Sequence, residues 1–160
     1  MYRLGAASLA ELTGVHPALA AIVTRAICLS AQDFVVAQGV RDAQAQRQLF
    51  EAGRSRKLDS KHTTGGAVDL VPVDHLGHLA PEWPLHCRVA RAVQIAANQF
   101  SCNVRWGGVW DRPLNALYPG DLPGEVAAYT QRAKARYQKR HPDTTAPFSI
   151  LLFGSHYELL

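Results

Sequence analysis

The run Ser60-Lys61-His62-Thr63-Thr64-Gly65-Gly66-Ala67-Val68-Asp69-Leu70-Val71-Pro72 constrains this chain more than any other. From Ala67 onward it is apolar and strand-like, yet Asp69 stands in its middle. An ionised carboxylate among apolar neighbours is costly unless a cation offsets its desolvation, and a divalent metal does so well. His62 lies seven positions earlier, and Gly65 and Gly66 allow the tight turn that carries the chain from loop into strand. A second histidine, His156, lies in another strand-like run at the end of the sequence. Two imidazoles and a carboxylate suit a catalytic zinc, which takes three protein ligands and keeps a fourth position open. Such a metal acidifies water toward neutrality and polarises a carbonyl. Ser60 is placed to orient His62 or to bond its backbone. A capped turn with a surface histidine is the alternative. With seven histidines in the chain, spacing alone leaves both readings open.

The remaining pattern predicts an α+β fold, a small and mostly antiparallel sheet packed against helices. At 160 residues, the chain is expected to form one domain over 1–160. Ser8 and Glu11 have capping-box spacing for a short first helix. Helical periodicity follows over 18–29, with Leu19, Ile22, Val23, Ala26 and Ile27 inward. Residues 34–40 read as a strand ended by a glycine. Residues 42–52 read as a helix with Leu49 and Phe50 inward, closed by Gly53. A strand over 67–73 precedes a turn at Gly77, and a helix over 85–100 is inward through Val89, Ala92, Val93, Ala96 and Ala97. A strand begins at Val104, residues 112–124 read as irregular, and 125–140 as a helix stopped by His141-Pro142. A last strand is expected within 148–160, with a break at Gly154-Ser155.

Cys28, Cys87 and Cys102 form no CxxC pair and cannot all pair with one another, which argues for folding in a reducing compartment, and since each lies among apolar residues, buried inert thiols are expected. The formal charge of +4 favours an anionic partner, nucleic acid or an anionic polymer such as bacterial cell wall. No helix-turn-helix, zinc-finger or RRM signature supports nucleic acid. The basic stretch 132–140 reads as the solvated face of a helix. No apolar run is long enough to span a membrane, and residues 1–30 lack the pattern of an ordinary signal peptide. His75 and His78 read as an exposed hairpin, and His86 and His141 as helix-end or surface residues. Trp83, Trp106 and Trp110 are candidates for a substrate groove, with core packing favoured for Trp106.

The segment 34–72 resembles the zinc peptidases of the M15 group, above all the L-alanyl-D-glutamate peptidases that bacteriophages use as endolysins. Their pattern of strand, Gln-Gly-x-Arg, helix and Ser-x-His-x-x-Gly-x-Ala-x-Asp is met by Gln38, Gly39, Arg41, Ser60, His62, Gly65, Ala67 and Asp69. The tryptophan–glycine stretch Val104-Arg105-Trp106-Gly107-Gly108-Val109-Trp110-Asp111 is similar to theirs. So is the closing His156-Tyr157-Glu158-Leu159. The resemblance implies that His62, Asp69 and His156 hold Zn2+, with Gln38 and Ser60 behind them. It implies that Arg41 faces the site, where a fixed cation stabilises a developing oxyanion. It further implies a monomer cleaving peptidoglycan stem peptides between L-alanine and D-glutamate. Such an enzyme is made in the host cytoplasm and released through a holin-type pore.

One position departs from that pattern. Relatives carry an acidic general base three positions before the last histidine, and here that position is Phe153. Phenylalanine cannot accept a proton, and losing a general base typically costs about 10²–10⁴-fold. Glu158 is the candidate substitute, since residues i and i+2 of a strand share a face with each other. Relatives carry that glutamate in addition to the acid, which equally suits a structural task. Two functions therefore stand side by side: a zinc-dependent peptidoglycan peptidase, and a catalytically impaired relative that binds cell wall or another phage protein.

Overall fold

The computed structural model describes residues 1–53, 59–140 and 156–160. Helix α1 spans Ala6–Glu11, α2 Pro17–Leu29, α3 Ala43–Glu51, α4 Trp83–Gln99 and α5 Leu122–Arg140. The strands are β1 Phe34–Gln38, β2 Ala67–Pro72, β3 Val104–Trp106 and β4 His156–Leu159, and 3-10 turns occur at Lys61–Thr64 and Leu114–Ala116. The four strands form one antiparallel sheet in the order β1-β2-β4-β3, so the last strand of the chain lies inside the sheet. The fold is α+β, as the hydropathy pattern predicts.

The two long apolar helices form where their periodicity places them. In α2 the buried residues are Leu19, Ile22, Val23, Ala26 and Ile27, and in α4 they include Val89, Ala92, Val93, Ala96 and Ala97. Each helix carries a proline in its first turn, where the missing N–H costs nothing. His16 caps α2, its Nδ1 accepting from the Ala18 N–H at 3.3 Å. The two helices pack on each other, and α4 also meets β2. Strand alternation divides the sheet. Val68, Leu70, Val104, Trp106 and Tyr157 are buried in the core, while Asp69, Arg105, His156 and Glu158 occupy the alternate positions. Trp106 is fully buried, as its composition-based reading expects.

Several local expectations are corrected. Ser8 does not cap the first helix, which begins earlier with Gly5 at the N-cap position. Its hydroxyl instead accepts from the Val36 N–H at 3.1 Å, and the Glu11 carboxylate accepts from the Gly39 N–H at 2.9 Å. β1 is an edge strand, so its outward backbone groups need partners, and α1 supplies them. Phe50 is not inward but 41% exposed; α3 is anchored by the buried, polar Gln46, which hydropathy patterning does not register. His86 is buried because α4 starts before it, at Trp83. Arg132 and Arg136 are not simply solvated, since both bind Asp111 and thereby tie the tryptophan–glycine loop to α5. The irregular stretch holds a 3-10 turn and the start of α5.

Other readings hold. His75 and His78 flank an exposed turn in which Asp74 Oδ1 accepts from the Leu76 and His78 N–H groups. All three cysteines are free, but only Cys87 is buried, while Cys28 and Cys102 are half-buried; burial pushes the Cys87 thiol up to about 11, which keeps it unreactive. The expectations for 54–58, His141, Asp143, residues 148–155 and Phe153 lie outside the described residues.

Candidate metal centre

The register of β2 against β4 sets Asp69 directly opposite His156. Cross-strand partners point to the same side of a sheet, so the carboxylate and the imidazole meet without further help. Asp69 Oδ1 lies 3.1 Å from His156 Nδ1. His62 arrives from the 3-10 turn at Lys61–Thr64, whose N-cap is Ser60. The Ser60 hydroxyl accepts from the His62 backbone N–H at 3.3 Å, so of its two expected roles the structure displays the backbone one. Gly65 closes the turn at φ +72, and a Cβ there would stand 2.4 Å from the Gly14 carbonyl oxygen. Only glycine tolerates both conditions.

The orientation of His62 is set by the residue that follows β1. Its Nδ1 lies 2.8 Å from the Gly39 carbonyl oxygen, which can only accept, so Nδ1 carries the proton and Nε2 presents a lone pair. The Arg41 N–H donates to the His62 carbonyl at 3.1 Å, pinning the same two segments a second time. His62 is only 3% exposed.

Nε2 of His62, Nδ1 of His156 and Oδ1 of Asp69 thus form a triangle with sides of 3.1, 3.3 and 3.6 Å. Ligand atoms bound tetrahedrally at zinc distances of about 2.0–2.1 Å stand about 3.3–3.4 Å apart. Among the described residues, these three are the group of histidine, cysteine and acidic side chains that could hold an ion. The donor set therefore fits a zinc-type metal.

The electrostatics agree with that reading. Burial alone would raise the Asp69 pKa, but hydrogen bonds and charge from His156 and His62 outweigh it and hold the carboxyl well below the usual range. Burial alone would lower that of His156, yet Asp69 and Glu158 raise it to about 9.

Of the other predicted site residues, Trp110 and Glu158 stand beside His156. Trp110 stacks on the His156 ring with centroids 5.4 Å apart and planes 28° apart, which puts it at the wall of the site. Glu158 stands on the same face as His156, with Oε2 3.7 Å from the nitrogen turned away from Asp69, and Oε1 bonded to Arg105. The His156 ring beside it, with the charges of Lys61 and Arg105, holds the Glu158 carboxyl below its usual range despite burial. Arg41 donates through Nη1 to Gln46 Oε1 at 2.8 Å, and among the described residues its guanidinium forms no ion pair. Its buried Nε has no hydrogen-bond partner among them. Gln38 pairs with Asp69 through the backbone, while its side chain donates locally to the Val40 carbonyl at 3.4 Å. Asp111 is bound by two arginines and Asp121 caps the Gly124 N–H. Sequence reasoning missed the Gly39 carbonyl and Arg105, although both lie in motif stretches it singled out.

Residues 1–121 match the family model of phage L-alanyl-D-glutamate peptidases. The chain belongs to this family. It is 30% identical over 117 residues to the L-alanyl-D-glutamate peptidase of Escherichia phage T5, covering 69% of this chain and 82% of that protein. The crystal structure of the L-Ala D-Glu endopeptidase ChiX of Serratia marcescens superposes with a TM-score of 0.71 at 29% identity, covering 99% of this chain and 90% of that one. The family match includes His62 and Asp69 but ends before β4, so the structural likeness extends the relationship over the strand that carries His156. No described helix is long and apolar enough to cross a membrane.

Proposed function

We propose that the protein is a zinc-dependent peptidase that cleaves the L-alanyl–D-glutamate amide bond in peptidoglycan stem peptides. The observation that carries this reading is the triangle of donor atoms on His62, Asp69 and His156, in a chain whose relatives are named for that bond specificity. When bound, zinc supplies a Lewis acid for the scissile carbonyl and an acidified water as nucleophile.

The chain's own residues do the rest. Gly39 holds the His62 tautomer, and Asp69 brings the negative charge that favours a divalent cation. Arg41, fixed by Gln46 and by the backbone of His62, supplies a cation for the developing oxyanion. Ser60 and Gln38 support the ligands through the backbone of His62 and Asp69. Trp110 forms an apolar wall for the stem peptide beside His156. Glu158 is the candidate proton acceptor in place of the acid that Phe153 replaces; its contacts with Arg105 and His156 also suit holding the ligand. The excess of basic residues concentrates a monomeric single-domain enzyme at an anionic wall, reached from the host cytoplasm through a holin-type pore.

The second reading is a catalytically impaired relative that binds wall peptide or a phage protein, and Phe153 favours it. Incubating purified peptidoglycan with the zinc-loaded protein separates the two. The peptidase reading expects new D-glutamate amino termini that are absent from the chelator-treated control. Wall binding without new termini would replace it with the binding reading.

A further inference from the structure

His156 presents Nδ1 to Asp69 and His62, which leaves its other nitrogen, Nε2, on the side of Glu158. Glu158 Oε2 lies 3.7 Å from that nitrogen, while Oε1 accepts from Arg105 Nη1 at 2.9 Å. The sheet builds this chain of contacts. Arg105 is the cross-strand partner of Glu158 on β3, and Ala67 is its partner on β2. Glu158 thus stands between Arg105 and Ala67 across the sheet and is only 9% exposed. Among the described residues Glu158 is the ion-pair partner of Arg105, whose buried Nε has no hydrogen bond. A metal-ligating imidazole is held when its far N–H meets a carboxylate that is itself fixed. A small turn of the ring or carboxylate brings the 3.7 Å separation to hydrogen-bond length.

We propose that Arg105 is a positioning residue: through Glu158 it fixes His156 in the tautomer that carries its proton on Nε2 and leaves Nδ1 for the metal. This rests on the metal-centre reading above. It assigns Glu158 to holding the ligand, and it gives Arg105 a task beyond joining β3 to β4.

The test compares wild type, Arg105→Gln, Arg105→Lys and Glu158→Gln as full-length proteins. Zinc affinity is read by competition with a chromogenic chelator, and site geometry by the visible spectrum of the cobalt-substituted form. Arg105→Gln is expected to lose about tenfold in zinc affinity and to alter the cobalt spectrum, whereas Arg105→Lys stays within about threefold of wild type. A folded Arg105→Gln with wild-type affinity and spectrum overturns the proposal, because a merely sheet-joining role would lower only the melting temperature. If Arg105→Gln does not fold, Glu158→Gln carries the same expectation and the same refutation. Nitrogen-15 spectra of the histidines in zinc-loaded wild type give an independent reading, with protonated Nε2 expected on His156 and protonated Nδ1 refuting. If wild type binds no zinc, the metal-centre reading itself fails, an outcome distinct from any change among the variants.

Discussion

Raising the pH should strengthen zinc binding and weaken the metal-free fold, both through His156. Its imidazolium is held by Asp69 and Glu158 with a pKa of about 9, against 6.5 for an ordinary histidine. A folded-state value above the unfolded one means that the folded chain binds more protons between the two. The stabilisation is therefore complete below pH 6.5 and disappears as pH rises through 9. The gap corresponds to about 3 kcal/mol, counted once for the Asp69–His156 pair. The pair also contributes from the acid side. Asp69 is depressed, so its share is present above its ordinary value and is lost as pH falls below it. Zinc must displace the His156 proton, so apparent affinity should rise about tenfold per pH unit from 6.5 to 9, about 300-fold in all. Near pH 7.5 close to one proton should leave per zinc bound. Chelator-buffered zinc titrations, calorimetry in buffers of different ionisation enthalpy, and denaturation of the metal-free protein would measure these three quantities. In Asp69→Asn the imidazolium loses its main partner, and the pH slope should collapse above about pH 7. A wild-type zinc affinity that stays flat from pH 6.5 to 9 would refute the reasoning, because His156 would then be either unprotonated or no ligand.

Four further outcomes are expected. Phe153→Asp should raise turnover on peptidoglycan by about 10²-fold or more if a general base is all that is lacking, as read by release of new amino termini. An unchanged rate would mean that the site is defective elsewhere or that another group already serves. Gly39→Ala should destabilise by about 3 kcal/mol or more in denaturation, since its Cβ would stand 1.7 Å from the Glu11 carbonyl oxygen. Gly53→Ala, with open space around it but φ +68, should lose only about 1 kcal/mol. Trp110→Ala should lower kcat/KM about tenfold while zinc affinity stays within about threefold, matching an aromatic wall worth about 1 kcal/mol. Equal loss in both quantities would make the ring a prop for His156 alone.

Much of the fold is legible before any coordinates. The inward faces of α2 and α4 are the residues that helical periodicity selects, because a long amphipathic helix repeats its signal over several turns. Short α1 repeats it too little, and its Ser8 and Glu11 look like a cap when they serve the edge of β1. α3 misleads for another reason, since a buried glutamine bonded to Arg41 anchors it. The candidate site divides in the same way. Asp69 within an apolar strand signals a cation by its cost, and His62 and His156 are visible as residue types. Gly39 contributes a carbonyl that every residue possesses, so no side-chain pattern marks it.

The sequence by itself determined the donor chemistry, the glycines at the tight turns, the apolar faces and the α+β class. Those properties belong to single residues or to short repeats, and they survive in any reading of the chain. Tertiary structure decided that His156 and Asp69 are partners, although 87 residues separate them. A slip of one residue between β2 and β4 would turn His156 into the core and Tyr157 toward the site. Register is settled by the packing of Val68, Leu70, Trp106 and Tyr157 on the opposite face of the sheet. The apolar side chains that never touch the site are what hold its three donor atoms together.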